Sequence, residues 1–494
     1  MNEASLFRKH LNNVLFNKIS VIAIIVISFG LVLLGNSQNF FVVSLMGTVL
    51  FWGFGLLFGA INLYELYGYT LMQFMLFVFL LSRPVLACLY NMDWAYWSDD
   101  TLKKAFISIC VCEIGLFLGS YLATQPPEQR DYSLNISDNR LNSMRIALLI
   151  LVVITGIVEV YVVTSNYLSF RYLGYEAMYT SADTYLPAYI RGLSTVFPLA
   201  VFGYLATMPE KKRAILVLIL YTTLGIPTFL LGNRSSLVLR IVFVTVYFFI
   251  RDYSRSEMET KWITRKIQIG FIIFVIFAIS FLGAYNYIRV GKLASDQTYI
   301  PIIADFFYRQ GTSFDTLCQG FFYEPIIKGF PDTISYTMGG IIDSLKHSTL
   351  SQLLFKTTDL GNGNSVNMVM NSNSMAHRLS YVVFGEKFYL EGHGRGSSFI
   401  LETYYDGGLL FVFIYSFIIG HFLSNINRLI QRRNWLINTI VITCLSYIYM
   451  IPRSSACSFF SFLFIPHFWL LLLYVIIAVC YSELELSCLK IKKQ

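Results

Sequence analysis

Residues 19–34 read ISVIAIIVISFGLVLL, an uncharged and almost wholly apolar run. Runs of this kind recur along the 494-residue chain. Each approaches the roughly 20 residues that an α-helix needs to cross a hydrocarbon core of about 30 Å. They are continuous rather than alternating, which fits helices and not a β-barrel. No small-residue cleavage pattern follows Leu34, so this run reads as the first spanning helix and not as a signal peptide.

Composition agrees. The chain is 56% hydrophobic and only 13% charged, against about 25% charged in soluble domains. It cannot cover itself with a solvated surface. The eight cysteines fall mostly inside apolar runs, with neither CxxC nor Cys/His spacing, so they indicate neither a disulfide framework nor a zinc site. A net charge of +8 would suit a nucleic-acid partner, but it sits mainly in short loops. There it sets orientation in a lipid bilayer, and no nucleic acid is expected.

Twelve spans are expected, near 19–35, 40–61, 69–90, 104–124, 145–164, 190–208, 213–231, 235–250, 267–288, 408–425, 435–451 and 459–481. With that count, one side receives Arg8, Lys9 and Lys18, then Arg130, Arg140 and Arg145, then Lys211, Lys212 and Arg213. The same side receives the basic stretches at 251–266, 428–433 and 490–493. Excess Lys and Arg mark the cytoplasmic side, so the single long loop faces outward. The chain divides into an N-terminal membrane domain (1–288), a large outward loop (289–407) and a C-terminal membrane domain with a basic tail (408–494). No 20–50-residue repeat and no inverted pattern of broken helices is visible, which weighs against a secondary transporter.

Within the loop, the apolar residues of 299–323 recur near helical spacing, and Asp305 and Arg309 form an i,i+4 pair. One or two amphipathic helices at the outer interface are expected, or an ordinary helix packed in the loop. Stretches such as Asp359-Leu-Gly-Asn-Gly-Asn-Ser365 are turn-rich. Trp94, Tyr96 and Trp97 lie just outside a span, where an interfacial belt sits.

The candidate binding groups are the outer arginines Arg191, Arg234, Arg240, Arg289, Arg309, Arg378, Arg395 and Arg453. Arginine offers a planar fork that grips phosphate bidentately; the competing reading is interface anchoring. Arg83 and Glu113 stand at similar depth in adjacent spans, and an intramembrane ion pair between them is expected. Glu391, His393 and Arg395 alternate with glycines on one short stretch, near Glu402 and Asp406; with Asp315 and His377 they are the outer acid–base candidates. No Gly-Lys-Ser/Thr follows the glycines, which excludes a P-loop.

Three motifs resemble the Wzy family of O-antigen and oligosaccharide repeat-unit polymerases. They are Gly232-Asn-Arg234-Ser-Ser; Gly394-Arg-Gly-Ser-Ser followed by Glu402-Thr-Tyr-Tyr-Asp-Gly-Gly408; and Arg309 followed after ten residues by Gly320. The resemblance implies an all-α, GT-C-like polytopic protein of the bacterial inner membrane with its site facing the periplasm. It implies polymerisation of undecaprenyl-diphosphate-linked oligosaccharide by an inverting, metal-independent glycosyl transfer that uses no cofactor or nucleotide sugar. A chain-length regulator is a candidate partner. Glu402, His393 and Arg395 are the expected catalytic residues. Arg234, Arg289, Arg309, Arg191, Arg378 and Tyr404 are the expected substrate-binding ones. The related ligases carry a His-x-His-Asn where this chain has a lone His393 before Arg395 and Ser397. A ligase, and a lipid-linked oligosaccharide flippase or other transporter, stay open as alternatives.

Overall fold

The computed structural model describes residues 15–124, 138–172, 186–255, 259–290, 301–331, 333–357, 359–361, 363–431 and 434–491. Among these residues every regular element is helical. Ten helices are long and apolar enough to cross a membrane. They are Lys18–Ser37, Phe41–Ile61, Leu63–Leu89, Asp99–Ala123, Asn139–Phe170, Tyr189–Ala206, Lys211–Leu230, Phe399–Ser424, Trp435–Arg453 and Pro466–Leu484. Two further helices, Arg234–Tyr253 and Arg265–Val290, stand where the other two spans are expected. The first of these carries Arg240, Arg251 and Asp252 along its length.

The tightest helix pair is 99–123 against 399–424. A Cβ added at Gly119 would stand 2.1 Å from the Phe417 carbonyl oxygen, and one at Gly420 would stand 2.0 Å from that of Leu116. The backbones touch because Gly115-x-x-x-Gly119 faces Ser416-x-x-x-Gly420, the small-residue spacing that lets membrane helices approach closely. A second group gathers 138–170, 188–206, 435–447 and 466–491. Here Trp435 Nε1 donates to Gly203 O at 2.9 Å and Arg145 donates to Thr207 O at 2.9 Å. Against this group, Arg240 of helix 234–253 pairs with Glu159 at 3.6 Å and donates to the carbonyl of Tyr221 in helix 211–223. A buried charge is thereby matched, as the membrane interior requires.

Three expectations need correction. The last span begins at Pro466 and not near 459, because 448–464 is a succession of 3₁₀ turns, the first of them containing Pro452. The helix entering the membrane after the loop starts at Phe399, nine residues early, and bends at Gly407–Gly408, where Gly408 has φ +64°. Arg83 does not pair with Glu113. Its guanidinium meets Asp315 of the loop at 3.0 Å, whereas Glu113 is buried with neither oxygen hydrogen-bonded among the described residues. A π-helical turn at Phe77–Leu81 shifts the phase of the helix just before Arg83, and the loop supplies the carboxylate.

The loop packs on the bundle end that carries Arg83, Lys104 and Arg453, at the other end of helix 63–89 from Tyr64, which donates to the Asp252 carbonyl beside the basic 251–266 stretch. The amphipathic stretch forms two helices, Ile302–Gln310 and Thr312–Phe322, joined at Gly311. Gly311 lies so close to Arg83 that an added Cβ would stand 2.6 Å from the Arg83 backbone nitrogen. The expected interfacial aromatics instead clamp this contact. Tyr96 donates to Asp315 at 2.7 Å, Trp97 Nε1 lies 3.4 Å from the same oxygen, and Trp94 is buried against Phe106. Lys104 holds the end of the second helix through Glu324 at 3.0 Å.

Candidate functional site

Between helices 63–89, 234–253 and 265–290, under the 302–310 helix, lies a cavity of about 1050 Å³. Its walls are apolar, with Phe74, Val78 and Phe79 on one side, Val238 and Ile241 on a second, and Phe274 and Ala278 on a third. From Leu71 to Arg83, both on the lining, the wall runs about 18 Å along the helix axis. The slot is long and mostly hydrocarbon-like.

Its end beneath the loop is different. Arg83, Arg309 and Arg453 all line it, with Asn233, Gln310 and one carboxylate, Asp305. Each arginine is held in place. Arg83 lies over the Tyr308 ring at 4.5 Å and binds Asp315. Arg309 binds Asp305 at 2.8 Å, the expected i,i+4 pair. Arg453 donates to Gln310 Oε1 at 2.9 Å and lies 5.8 Å over Phe79. Gly232, with φ +102°, turns the chain so that the 234–253 helix begins at the mouth. The free N–H groups and dipole of a helix N-terminus favour an anion there. Taken together, the mouth is cationic and the slot beneath it suits an alkyl chain.

The Gly-rich stretch reaches this mouth from the loop. A Cβ at Gly396 would stand 3.1 Å from the Arg453 carbonyl oxygen. Arg395 lies 5.4 Å over the Phe384 ring, with its backbone pinned by Ser380: the amide donates to Ser380 Oγ at 2.8 Å. His393 is half-buried between the Phe384 and Phe388 rings, with centroids at 6.0 and 5.8 Å. Glu402 is 2% exposed, and its Oε2 accepts from Ala456 N at 2.7 Å and Ser455 Oγ at 3.1 Å. It therefore fixes the turn that carries Arg453.

Of the residues expected to bind substrate, Arg309 is at the mouth. The side chains of Arg234 and Arg289 lie outside the described residues; their backbones are at the start of the 234–253 helix and near the end of the 265–290 helix. Arg378 is elsewhere: 2% exposed, it donates to Tyr336 Oη at 2.9 Å and to Val369 O at 3.1 Å inside the loop's own core. Arg191 is exposed on the 188–206 helix, away from the cavity lining. Tyr404 packs edge-on against Phe321, with centroids 4.9 Å apart. Asp406 receives Ser335 Oγ and the Tyr336 and Thr337 amides at 2.6–2.8 Å, which anchors the loop.

The sequence suggested the wrong partner for Arg83, and it placed Arg453 among the candidate outer arginines but not among those expected to bind substrate. One signal for Arg453 is present. Arg453-Ser-Ser455 repeats the Arg234-Ser-Ser236 of the other outer turn, and both turns border the cavity.

The chain matches the model of the family described as O-antigen polysaccharide polymerase Wzy over residues 15–483. No curated protein and no solved structure matches it.

Proposed function

The chain belongs to the O-antigen polysaccharide polymerase Wzy family, and from that premise we propose that the arginine-rimmed cavity holds its donor, an undecaprenyl-diphosphate-linked oligosaccharide. Membership makes the protein a multi-pass membrane glycosyltransferase-type polymerase that acts on lipid-linked oligosaccharides. The observation that carries the reading is the pairing of an apolar slot about 18 Å long with three arginines at its outer end. The diphosphate-proximal part of a polyprenyl chain fits the slot and diphosphate fits the arginines. The mouth opens opposite the basic loops, which supports a site at the periplasmic face of the inner membrane.

In this reading the acceptor is the non-reducing-end hydroxyl of another lipid-linked unit. Its oxygen attacks the anomeric carbon of the donor sugar, and the carbon–oxygen bond to the diphosphate breaks. The electron pair leaves on the diphosphate, where Arg83, Arg309, Arg453 and the N-terminus of the 234–253 helix stabilise the growing charge. A single displacement inverts the anomeric centre, and the arginines supply the cationic charge without a metal. Glu402 is engaged by Ser455 and Ala456 and serves to position Arg453. His393, on the half-buried edge of the Gly-rich stretch, takes the hydroxyl proton.

Deletion of the gene tests the function. A polymerase deletion leaves single repeat units on lipid A, whereas deletion of a ligase or flippase leaves none attached. Retention of long polymer in the deletion strain would overturn the reading.

A further inference from the structure

The Gly-rich stretch leads away from the cavity mouth to an aromatic patch of which the transfer chemistry uses only His393. Helix Met375–Leu390 breaks at Gly385, where φ is +75° and ψ 164°. Beyond the break the chain turns, so that His393 comes back against both Phe388 and Phe384. Their rings lie 5.8 and 6.0 Å from that of His393. Phe388 is 52% exposed, a large share for a phenyl ring in a loop already folded around its own core. Arg395 covers the other side of the cluster, over Phe384. Carboxylates border it: Glu386, which accepts from Tyr381 Oη at 3.1 Å, and the exposed Glu391.

An exposed phenyl ring, Phe388, backed by half-buried Phe384 and His393 and bordered by carboxylates and a guanidinium, is poor ground for lipid, because charged groups at the rim resist entry into hydrocarbon. It suits a pyranose ring. Its apolar C–H face packs on an aromatic side chain, while its hydroxyls hydrogen-bond to carboxylate and guanidinium at the edge. The position also fits. Gly396 touches the Arg453 backbone, and His393 is three residues back along the chain, within about 10 Å. A saccharide joined to a diphosphate at Arg453 would extend along 393–396 and onto this patch.

We infer that Phe384, Phe388 and His393, flanked by Arg395 and Glu386, form a saccharide platform that binds the repeat-unit oligosaccharide beside the diphosphate site. This rests on the cavity reading for its direction but not for its chemistry. Phe384 and Phe388 are binding residues here. Their role is to hold the sugar in register with the mouth.

The test uses the full chain in lipid nanodiscs and two separate probes. One is the host's own repeat-unit oligosaccharide, released from its lipid; the other is undecaprenyl diphosphate bearing no sugar. Phe388→Ala is expected to weaken the oligosaccharide about tenfold and leave the sugar-free lipid unchanged. Phe388→Leu, which keeps an apolar side chain of similar bulk, is expected to show the same loss. Oligosaccharide binding unchanged in Phe388→Leu and in Phe384→Leu/Phe388→Leu overturns the platform. Equal weakening of both probes also overturns it, since the patch would then act only through the fold. Failure of the unaltered protein to bind the sugar-free lipid would sink the cavity reading instead, and leaves the oligosaccharide measurement to decide the platform by itself.

Discussion

Arg83, near the loop-facing end of helix 63–89, is joined to Asp315 of the long loop by an ion pair of 3.0 Å. Tyr96 and Trp97 close on the same carboxylate. This is the bolt between loop and bundle, and it also aims Arg83 into the cavity. Removing one partner of a largely buried pair leaves the other uncompensated, at a cost of about 3 kcal/mol. Asp315→Ala is expected to lower the thermal unfolding midpoint of the purified protein and to shorten its polymer. Asp315→Asn, which can still accept from Tyr96, should lose less. Equal midpoints for all three proteins would refute the bolt.

Gly311 has no room for a side chain. An added methyl would meet the Arg83 backbone at 2.6 Å and Ser82 Oγ at 2.7 Å. Gly311→Ala must push the 302–310 helix away from the mouth, with a strain of about 1–3 kcal/mol. The expected result is weakened lipid binding with helical content unchanged by circular dichroism. Binding at the original strength would mean that this helix does not shape the mouth.

Glu402 separates positioning from proton transfer. Glu402→Gln keeps an oxygen that can accept from Ala456 and Ser455, so polymer ladders should stay near normal. Glu402→Ala should lose them by freeing the turn that carries Arg453. His393→Gln should slow transfer by about 10² or more with little change in donor binding. If Glu402→Gln were as inactive as Glu402→Ala while His393→Gln were active, the two assignments would have to be exchanged.

His377 gives the loop a pH response. Burial holds its imidazole below the ordinary value of 6.5, with Asp343 pulling weakly the other way, and its Nδ1 lies 2.8 Å from Tyr389 Oη. Above pH 6.5 the ring is neutral in both folded and unfolded states and stability does not depend on it. As pH falls below 6.5 the unfolded chain takes a proton that the folded one resists, so stability is lost. Protection factors for hydrogen exchange across 375–390, taken relative to the intrinsic rate at each pH, are expected to fall on acidification below that value. His377→Gln should flatten the response; an unchanged profile would refute it.

Much of the architecture was legible because it follows from hydrocarbon length. Apolar runs near 20 residues locate the helices, and the Asp305–Arg309 spacing locates the first loop helix. What escaped depends on groups far apart in sequence. Nothing near Arg83 indicates that its carboxylate lies more than two hundred residues on, at Asp315. Arg378 looks like Arg309 in a sequence, and only the fold reveals that it is wrapped by Tyr336, Val369 and Ser372. The 399 start was hidden by Gly407–Gly408, which reads as a turn but is a bend between two helical pieces. The Gly115-x-x-x-Gly119 contact carried a readable signal in its spacing.

The most direct measurement of the central claim is the binding of sugar-free undecaprenyl diphosphate to the purified full chain in nanodiscs, before and after Arg309→Ala/Arg453→Ala. Each lost charge-assisted contact is worth about 1.5–3 kcal/mol. Saturable binding is expected, weakened at least tenfold in the double variant, with undecaprenol lacking phosphate binding equally poorly to both proteins. Equal affinity of the unaltered and doubly substituted proteins for the diphosphate would contradict the claim.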